Sequence, residues 1–296
     1  MNIAGVTFRQ SFFETNGSTL CVLSAGDKAA KPVVCVHGFP DTPHTFEHQI
    51  SVLLEQGFRI VLPFLRGYPP SSTGKAIDYF PLRLAEDLLS VVDEYCGGKA
   101  LLLGHDWGAM ASYAAAHLSP EKIEKMLVAA VPPGGAFMRA GGDLKQAWRS
   151  RYAILFQFGS PMTAWMCKNN GQGIDWLWSY WSPSWHYSEK DIADVKHCLT
   201  QEGAMYAATE YYRQLFRGTI KDRSFMDALV APIKVDTLLL QGRDDGCIGA
   251  DFFDNLDEFF EASWQKTIID GAGHFMHREK PEAFNQAMLS FFDSET

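Results

Sequence analysis

Asp106 lies in the run Gly104-His105-Asp106-Trp107-Gly108, after Leu101-Leu102-Leu103 and before an Ala-rich stretch from Met110 to Ala116. The leucines read as the end of a buried strand and the Ala-rich stretch as a helix. A strand that turns at once into a helix, with glycine on both sides of a central residue, is the pattern that presents a nucleophile on a strained turn. The glycines have a steric reason, since neighbouring backbones must come close at such a turn. A carboxylate there, with an ordinary pKa of ~3.9, is ionised near neutral pH without help from a base. Attack on carbon would leave an ester on the chain. The plainer role for an Asp before an apolar run is to cap the helix. Further on, Asp244-Asp245 and His274 each follow another strand-like run. Nucleophile, acid and histidine in that order supply a second step, in which the histidine takes a proton from water and the acid steadies the imidazolium.

These side chains require a frame. Val6 to Glu14 and Thr19 to Ser24 read as strands joined by an Asn16-Gly17 hairpin turn. Pro32 to Val36 is a buried-type strand ending in His37-Gly38-Phe39-Pro40, with a helix from about Thr45 to Glu55 and a strand from Arg59 to Pro63. Phe80 to Tyr95 is an amphipathic helix with Leu84, Leu88, Val91 and Val92 in one stripe. The strand before Asp106, its helix, and a strand from Lys125 to Val131 follow. Strands at Lys234–Leu240 and Gln265–Ile269, with helices at Phe252–Phe260 and Pro281–Phe292, resume the alternation. Such alternation implies an α/β fold with a mostly parallel sheet flanked by helices. Between residues 134 and 218 no strand is legible and aromatic residues are dense. This reads as a helical lid inserted after the sixth strand, at the carboxyl side of the sheet where α/β sites form. The expected division is a core of residues 1–133 and 219–296 and a cap of residues 134–218.

Bulk properties narrow the possibilities. The chain has 296 residues, 47% of them hydrophobic, enough for a large core. A net charge of -9 gives no basic surface for nucleic acid. No apolar run reaches membrane-spanning length, and Met1 to Glu14 lacks the features of a signal peptide. Cys21, Cys35, Cys96, Cys167, Cys198 and Cys247 are scattered without a CxxC pair, so free thiols in a reducing cytoplasm are expected, with no metal.

Taken together, His37-Gly38-Phe39-Pro40, Gly104-His105-Asp106-Trp107-Gly108, Gly242-x-x-Asp245 and Gly273-His274-Phe275 resemble the α/β-hydrolase superfamily, in its epoxide hydrolase and haloalkane dehalogenase branch. The resemblance spans the chain outside the lid. It implies Asp106 as nucleophile, His274 as base, and Asp245 rather than Asp244 as acid, with Asp244 a solvated neighbour. It assigns the oxyanion-binding N–H groups to Phe39 and Trp107. His37 and His105 are expected to support the site through hydrogen bonds, and His277 to lie on the surface. Tyr152, in Tyr152-Ala153-Ile154-Leu155-Phe156-Gln157, and Tyr212, in Glu210-Tyr211-Tyr212-Arg213, match the lid tyrosines that assist epoxide opening in the family; Tyr211 is the competitor of Tyr212.

The implied function is hydrolysis of a small apolar epoxide to a vicinal diol by water, without cofactor, nucleic acid or membrane. The alternatives are a haloalkane dehalogenase with the same triad, or a binding protein on the same fold. Phe39 lacks the side-chain donor that many dehalogenases place after His-Gly, and Trp107 stands where fluoroacetate dehalogenases have arginine. Both departures favour epoxide. A serine hydrolase is ruled against by Asp106, and loss of catalysis by the intact triad.

Overall fold

The computed structural model describes residues 1–74, 77–139 and 142–294; Ala140 and Gly141, inside the expected lid, lie outside the described residues. The chain opens with a two-stranded ladder, β1 (Asn2–Ile3) and β2 (Val6–Thr7). The single strand expected from Val6 to Glu14 is therefore broken: Val6–Thr7 folds back on the N-terminus, and β3 (Arg9–Thr15) joins the main sheet. β4 (Ser18–Ala25) follows through Asn16 and Gly17, whose φ values of 48° and 72° suit an Asn-Gly hairpin turn.

The remaining strands are β5 (Pro32–Val36), β6 (Arg59–Pro63), β7 (Ala100–His105), β8 (Ile123–Ala129), β9 (Thr237–Gly242) and β10 (Trp264–Ile269). The eight-stranded sheet has the order β10-β9-β8-β7-β5-β6-β4-β3. It is parallel from β6 to β10 and antiparallel where β4 meets β3 and β6. Both β7 and β9 are buried along their whole length, as central strands covered on both faces require. Because neighbouring strands run the same way, their carboxyl ends share one edge of the sheet. His37, Asp106 and Arg243 each begin directly beyond such an end.

Helices α1 (Glu47–Glu55), α2 (Leu82–Cys96) and α3 (Trp107–Leu118) connect the first strands. Leu84, Leu88, Val91 and Val92 of α2 are all buried, so the stripe seen in the sequence is the packed face. Between β8, the sixth strand of the large sheet, and β9 come α4 (Gly134–Arg139), α5 (Leu144–Arg149), α6 (Arg151–Phe156), α7 (Ser160–Trp181), α8 (Glu189–Leu199), α9 (Ala204–Lys221) and α10 (Ser224–Val230). The chain ends in α11 (Met276–Glu279) and α12 (Pro281–Asp293). No described helix is long and apolar enough to cross a membrane, and all six cysteines are free.

The helix expected at Phe252–Phe260 is instead two short 3-10 turns, Ala250–Phe253 and Asp257–Phe259. Asn255 between them has a φ of 54°, which a helix cannot contain and which Asn tolerates better than most residues. The carbonyls of Phe253, Asp254 and Asn255 accept hydrogen bonds from Lys266 and Arg139 rather than from backbone N–H groups. Side chains thus take the place of the helical ladder.

One buried ion pair fixes the loop after β6 against α2, and that loop in turn holds an inserted helix. The Arg66 guanidinium donates to both carboxylate oxygens of Asp87, each at 2.7 Å, and neither side chain reaches solvent appreciably. The Arg66 carbonyl in turn accepts the Tyr211 hydroxyl of α9. Removing one partner of such a pair leaves a buried, uncompensated charge. Asp87→Ala is expected to lower the unfolding free energy by about 3–5 kcal/mol, measured by urea denaturation, with Arg59→Ala, at the other end of β6, far milder.

Candidate active site

Asp106 occupies the junction between β7 and α3 with φ 52° and ψ -116°, an unusual conformation for a residue with a side chain. Its own N–H donates to the Ala129 carbonyl of β8 at 3.2 Å, and its carbonyl accepts from Ala109 and Met110, so both ends of the turn are fixed. The turn closes only because its neighbours are small. A Cβ on Gly108 would overlap the Val36 carbonyl, and one on Gly38 would run into the Asp106 carboxylate and lie 2.7 Å from Trp107 N. The approach of Gly38 carries the next N–H to its target: Phe39 N–H donates to Asp106 Oδ1 at 2.7 Å. Trp107 N, the first N–H of α3 and without an intrahelical partner, lies beside the same corner.

Across the site, His274 Nδ1 bonds Asp245 Oδ2 at 3.0 Å, and His274 Nε2 stands 3.6 Å from Asp106 Oδ2. Asp245 is itself held. Its Oδ1 accepts from Cys247 N at 2.6 Å and Ile248 N at 3.0 Å, and its Oδ2 accepts from the Gln241 amide at 3.1 Å. Asp244 is exposed. The bond to Asp245 makes Nδ1–H the donor, which leaves Nε2 as the reactive nitrogen facing Asp106. Burial by itself would lower the His274 pKa, but the charge of Asp245, the hydrogen bond to it and the charge of Asp106 outweigh it and push it up to about 10.

The other histidines are passive. Burial takes His37 down to about 4 and His105 to about 3. His37 bridges the Gly38 carbonyl at 2.9 Å and Leu65 N–H at 3.2 Å, while His105 Nε2 meets the His274 carbonyl at 3.0 Å. His277, expected on the surface, is fully buried: Thr45 Oγ1 holds its Nε2 at 2.5 Å and Phe46 and His105 pack on its ring. The short helix α11 turns it inward beneath the site, a direction that spacing from His274 does not reveal.

Tyr152 and Tyr212 line one cavity with Asp106 and Trp107, of about 380 Å³ and otherwise mostly apolar. The Tyr212 ring stands edge-on to the Trp107 and Tyr152 rings, with centroids 5.0 and 5.8 Å away. The Tyr152 hydroxyl lies 3.2 Å from Cys247 Sγ. Burial and the nearby Asp106 carboxylate raise both phenol pKa values well above the ordinary one, which keeps them neutral donors. Tyr211 points the other way, its hydroxyl on the Arg66 carbonyl. A larger depression, about 740 Å³ between Trp148, Tyr180 and Arg243, is broadly open to solvent, and Asp106 does not line it.

Four residues not singled out from the sequence belong to the site. Gln241 and Cys247 position Asp245 and Tyr152, and only the closeness of Cys247 to the acid hinted at it. Trp181 packs on the His274 and Tyr152 rings, with centroids 4.8 and 4.9 Å away, one of many lid aromatics that sequence could not rank. Asp41 directly follows Pro40. It is buried, and burial raises its pKa to about 6 against the pull of Arg278. Among the described residues, Asp41, His105 and His277 bring potential metal-ligand atoms within 4.8 Å of one another, as do Asp245, Cys247 and His274. The second set is already engaged as an acid-histidine pair. In the first, Asp41 Oδ2, His105 Nδ1 and His277 Nδ1 have no protein partner, a polar niche of the kind that holds a buried water.

A mostly parallel sheet that presents an acid on a strand-to-helix turn, under a backbone N–H and opposite an Asp-supported histidine, defines an α/β hydrolase. The chain belongs to the Alpha/beta hydrolase family, whose pattern matches residues 33–287. It is 27% identical over 309 aligned positions to epoxide hydrolase A of Mycobacterium tuberculosis, covering 94% of this chain and 95% of that one. It is 25% identical to the AB hydrolase superfamily protein YfhM of Bacillus subtilis, over 96% of this chain and 98% of the relative. Among solved structures, the Bacillus megaterium epoxide hydrolase bound to an inhibitor superposes with a TM-score of 0.82 at 22% identity, covering 96% of this chain and all (100%) of the other.

The two carboxylates that hold the His274 proton are separable. Because its folded pKa is raised, protonated His274 stabilises the fold fully below the ordinary ~6.5. That contribution is lost as pH rises through the folded value of about 10. Asp106→Asn removes one anion while Asp245 remains. By NMR titration of the imidazole, the variant is expected to titrate well below the wild type. Its stability should also fall less steeply between neutral pH and about 10. An unchanged titration would mean that Asp245 alone sets the proton affinity.

Proposed function

We propose that this chain is an epoxide hydrolase that opens an apolar epoxide to a vicinal diol through an ester on Asp106. The carrying observation is the pair of neutral phenols, Tyr152 and Tyr212, on one cavity wall with the Asp106 carboxylate. An opening epoxide becomes an alkoxide and needs a donor that is acidic enough to bond it yet uncharged beforehand, which a phenol is. Relatives named as epoxide hydrolases, at modest identity over nearly the whole chain, support the same reading. In this scheme residues 134–218 act as a cap that supplies the phenols to a core of residues 1–133 and 219–296.

The steps balance without a cofactor. An Asp106 oxygen attacks one ring carbon, the C–O bond breaks, and the departing oxygen takes a proton from Tyr152 or Tyr212, giving a hydroxyalkyl ester. Water then attacks the ester carbonyl, His274 Nε2 takes its proton, and the Phe39 and Trp107 N–H groups bond the oxyanion. Collapse releases the diol, regenerates the carboxylate and leaves His274 protonated as it began, the proton it carried at the outset having passed to the tyrosinate before water attacks. Alkylation also removes the Asp106 charge, one of the influences that keep His274 protonated. The first step therefore weakens the hold on the proton that the second step needs absent.

Two experiments test this. His274→Ala is expected to accumulate the ester, seen by intact-protein mass spectrometry as a gain of one epoxide mass, and Asp106→Asn to accumulate none. A folded, epoxide-binding His274→Ala that shows no adduct would refute the division of labour. Tyr152→Phe or Tyr212→Phe should each slow alkylation by about 10², the usual cost of one lost donor to developing charge. The double variant should lose far more. Equal losses on a bromoalkane, which needs no such acid, would show that the tyrosines only shape the cavity.

A further inference from the structure

We infer that the site takes epoxides carrying apolar substituents on one ring carbon only, and excludes those substituted on both. This rests on the epoxide reading and concerns the shape of the same cavity. The cavity that Asp106 lines is walled mainly by apolar side chains. It passes Met110, Val131, Phe137, Leu229 and Met226 toward Met138 and Phe216, which are 59% and 51% exposed and so mark its mouth. Behind Tyr152, Tyr212 and His274 the volume is filled. Phe39, Phe156 and Trp181 are each fully buried there, and none lines the cavity. Phe156 stands edge-on to Phe39 at 5.4 Å between ring centroids and packs on Tyr212 at 4.9 Å; Trp181 closes on Tyr152 and on the His274 ring.

Asp106 therefore sits at the inner end of a chamber with a single arm. The two tyrosines fix where the ring oxygen lies, and the carboxylate fixes the line of attack. With both set, the substituent on one carbon can run down the arm toward Met138 and Phe216. A substituent on the other carbon must point at Phe156 and Trp181, where close-packed rings leave it no room. The arm offers no charged side chain of its own beyond Asp106 and almost no hydrogen-bonding group beyond the tyrosines, so the tolerated substituent is a hydrocarbon, alkyl or aryl.

The test compares styrene oxide with trans-β-methylstyrene oxide on the wild-type protein. The phenyl group is kept and one methyl is added to the far carbon. Each kcat/KM is normalised to uncatalysed opening by hydroxide. A preference of about 10² for styrene oxide is expected, the scale on which a pocket rejects one misplaced group. Phe156→Ala, which empties the closed side while removing no proposed catalytic group, should shrink that preference at least tenfold, mainly by raising kcat/KM for the disubstituted substrate. Equal turnover of both substrates by the wild type would overturn the one-armed assignment while leaving the epoxide reading intact. Turnover of neither, nor of any aliphatic terminal epoxide, would overturn the epoxide reading itself. If Phe156→Ala does not fold, the wild-type ratio decides. If it folds and the ratio is unmoved, the closed side is not what selects, and the inference fails.

Discussion

The site depends on one close approach. Asp106 must stand at the end of β7 in a backbone conformation that most residues avoid, and the hydrogen bond from Phe39 N–H must reach its carboxylate at 2.7 Å. Neither is possible unless the end of β5 can press against the start of α3, and Gly38 and Gly108 are the residues that allow it. The remaining features hold this contact in place. His37 spans the backbone on either side of it, β8 receives the Asp106 N–H, and the sheet register brings Val36 level with Gly104. Strain at Asp106 is sustained by an over-determined surround, which is the condition under which such strain persists.

The electrostatics follow the same pattern of fixed parts and one movable proton. Asp245 receives two backbone N–H groups and one amide, so its charge has nowhere to go and its orientation does not drift. His274 is packed between Trp181, His105 and Phe275 rings, a setting that would ordinarily strip its proton. Two carboxylates overcome that tendency. The protonation state of His274 is thereby tied to the charge on Asp106, and a change in that charge changes the hold on the proton.

Much of this was legible beforehand because the relevant signals are local. β5 and β6 fall where their apolar runs begin and end, and the nucleophile turn, the hairpin at Asn16-Gly17 and the aromatic insertion each announce themselves over a few residues. What escaped was decided at a distance. The segment at 252–260 looks helical in period, but Arg139 and Lys266, far away in sequence, claim its carbonyls. His277 looks like a surface residue until α11 turns it onto Thr45. Tyr211 and Tyr212 are chemically equal neighbours, and no pattern within α9 says which faces Asp106; the Arg66 carbonyl decides it. Trp181 could not be told from the other lid tryptophans, because its role comes from stacking on a histidine that lies 93 residues later in the chain.

The Tyr211 contact with Arg66 has a mechanical side. Successive residues on a helix point about 100° apart. With the Tyr211 hydroxyl fastened to the carbonyl of Arg66, and Arg66 clamped by Asp87, the rotation of α9 about its axis is set, and the heading of Tyr212 with it. The helix behaves as a keyed shaft. Its outer face can change composition freely, and the apolar side chains lining the chamber can grow or shrink, without the phenol swinging off its target. A one-residue insertion between the key and the tyrosine would turn it away altogether. The shape of the chamber and the heading of the Tyr212 hydroxyl are thus carried on one element yet free to vary separately.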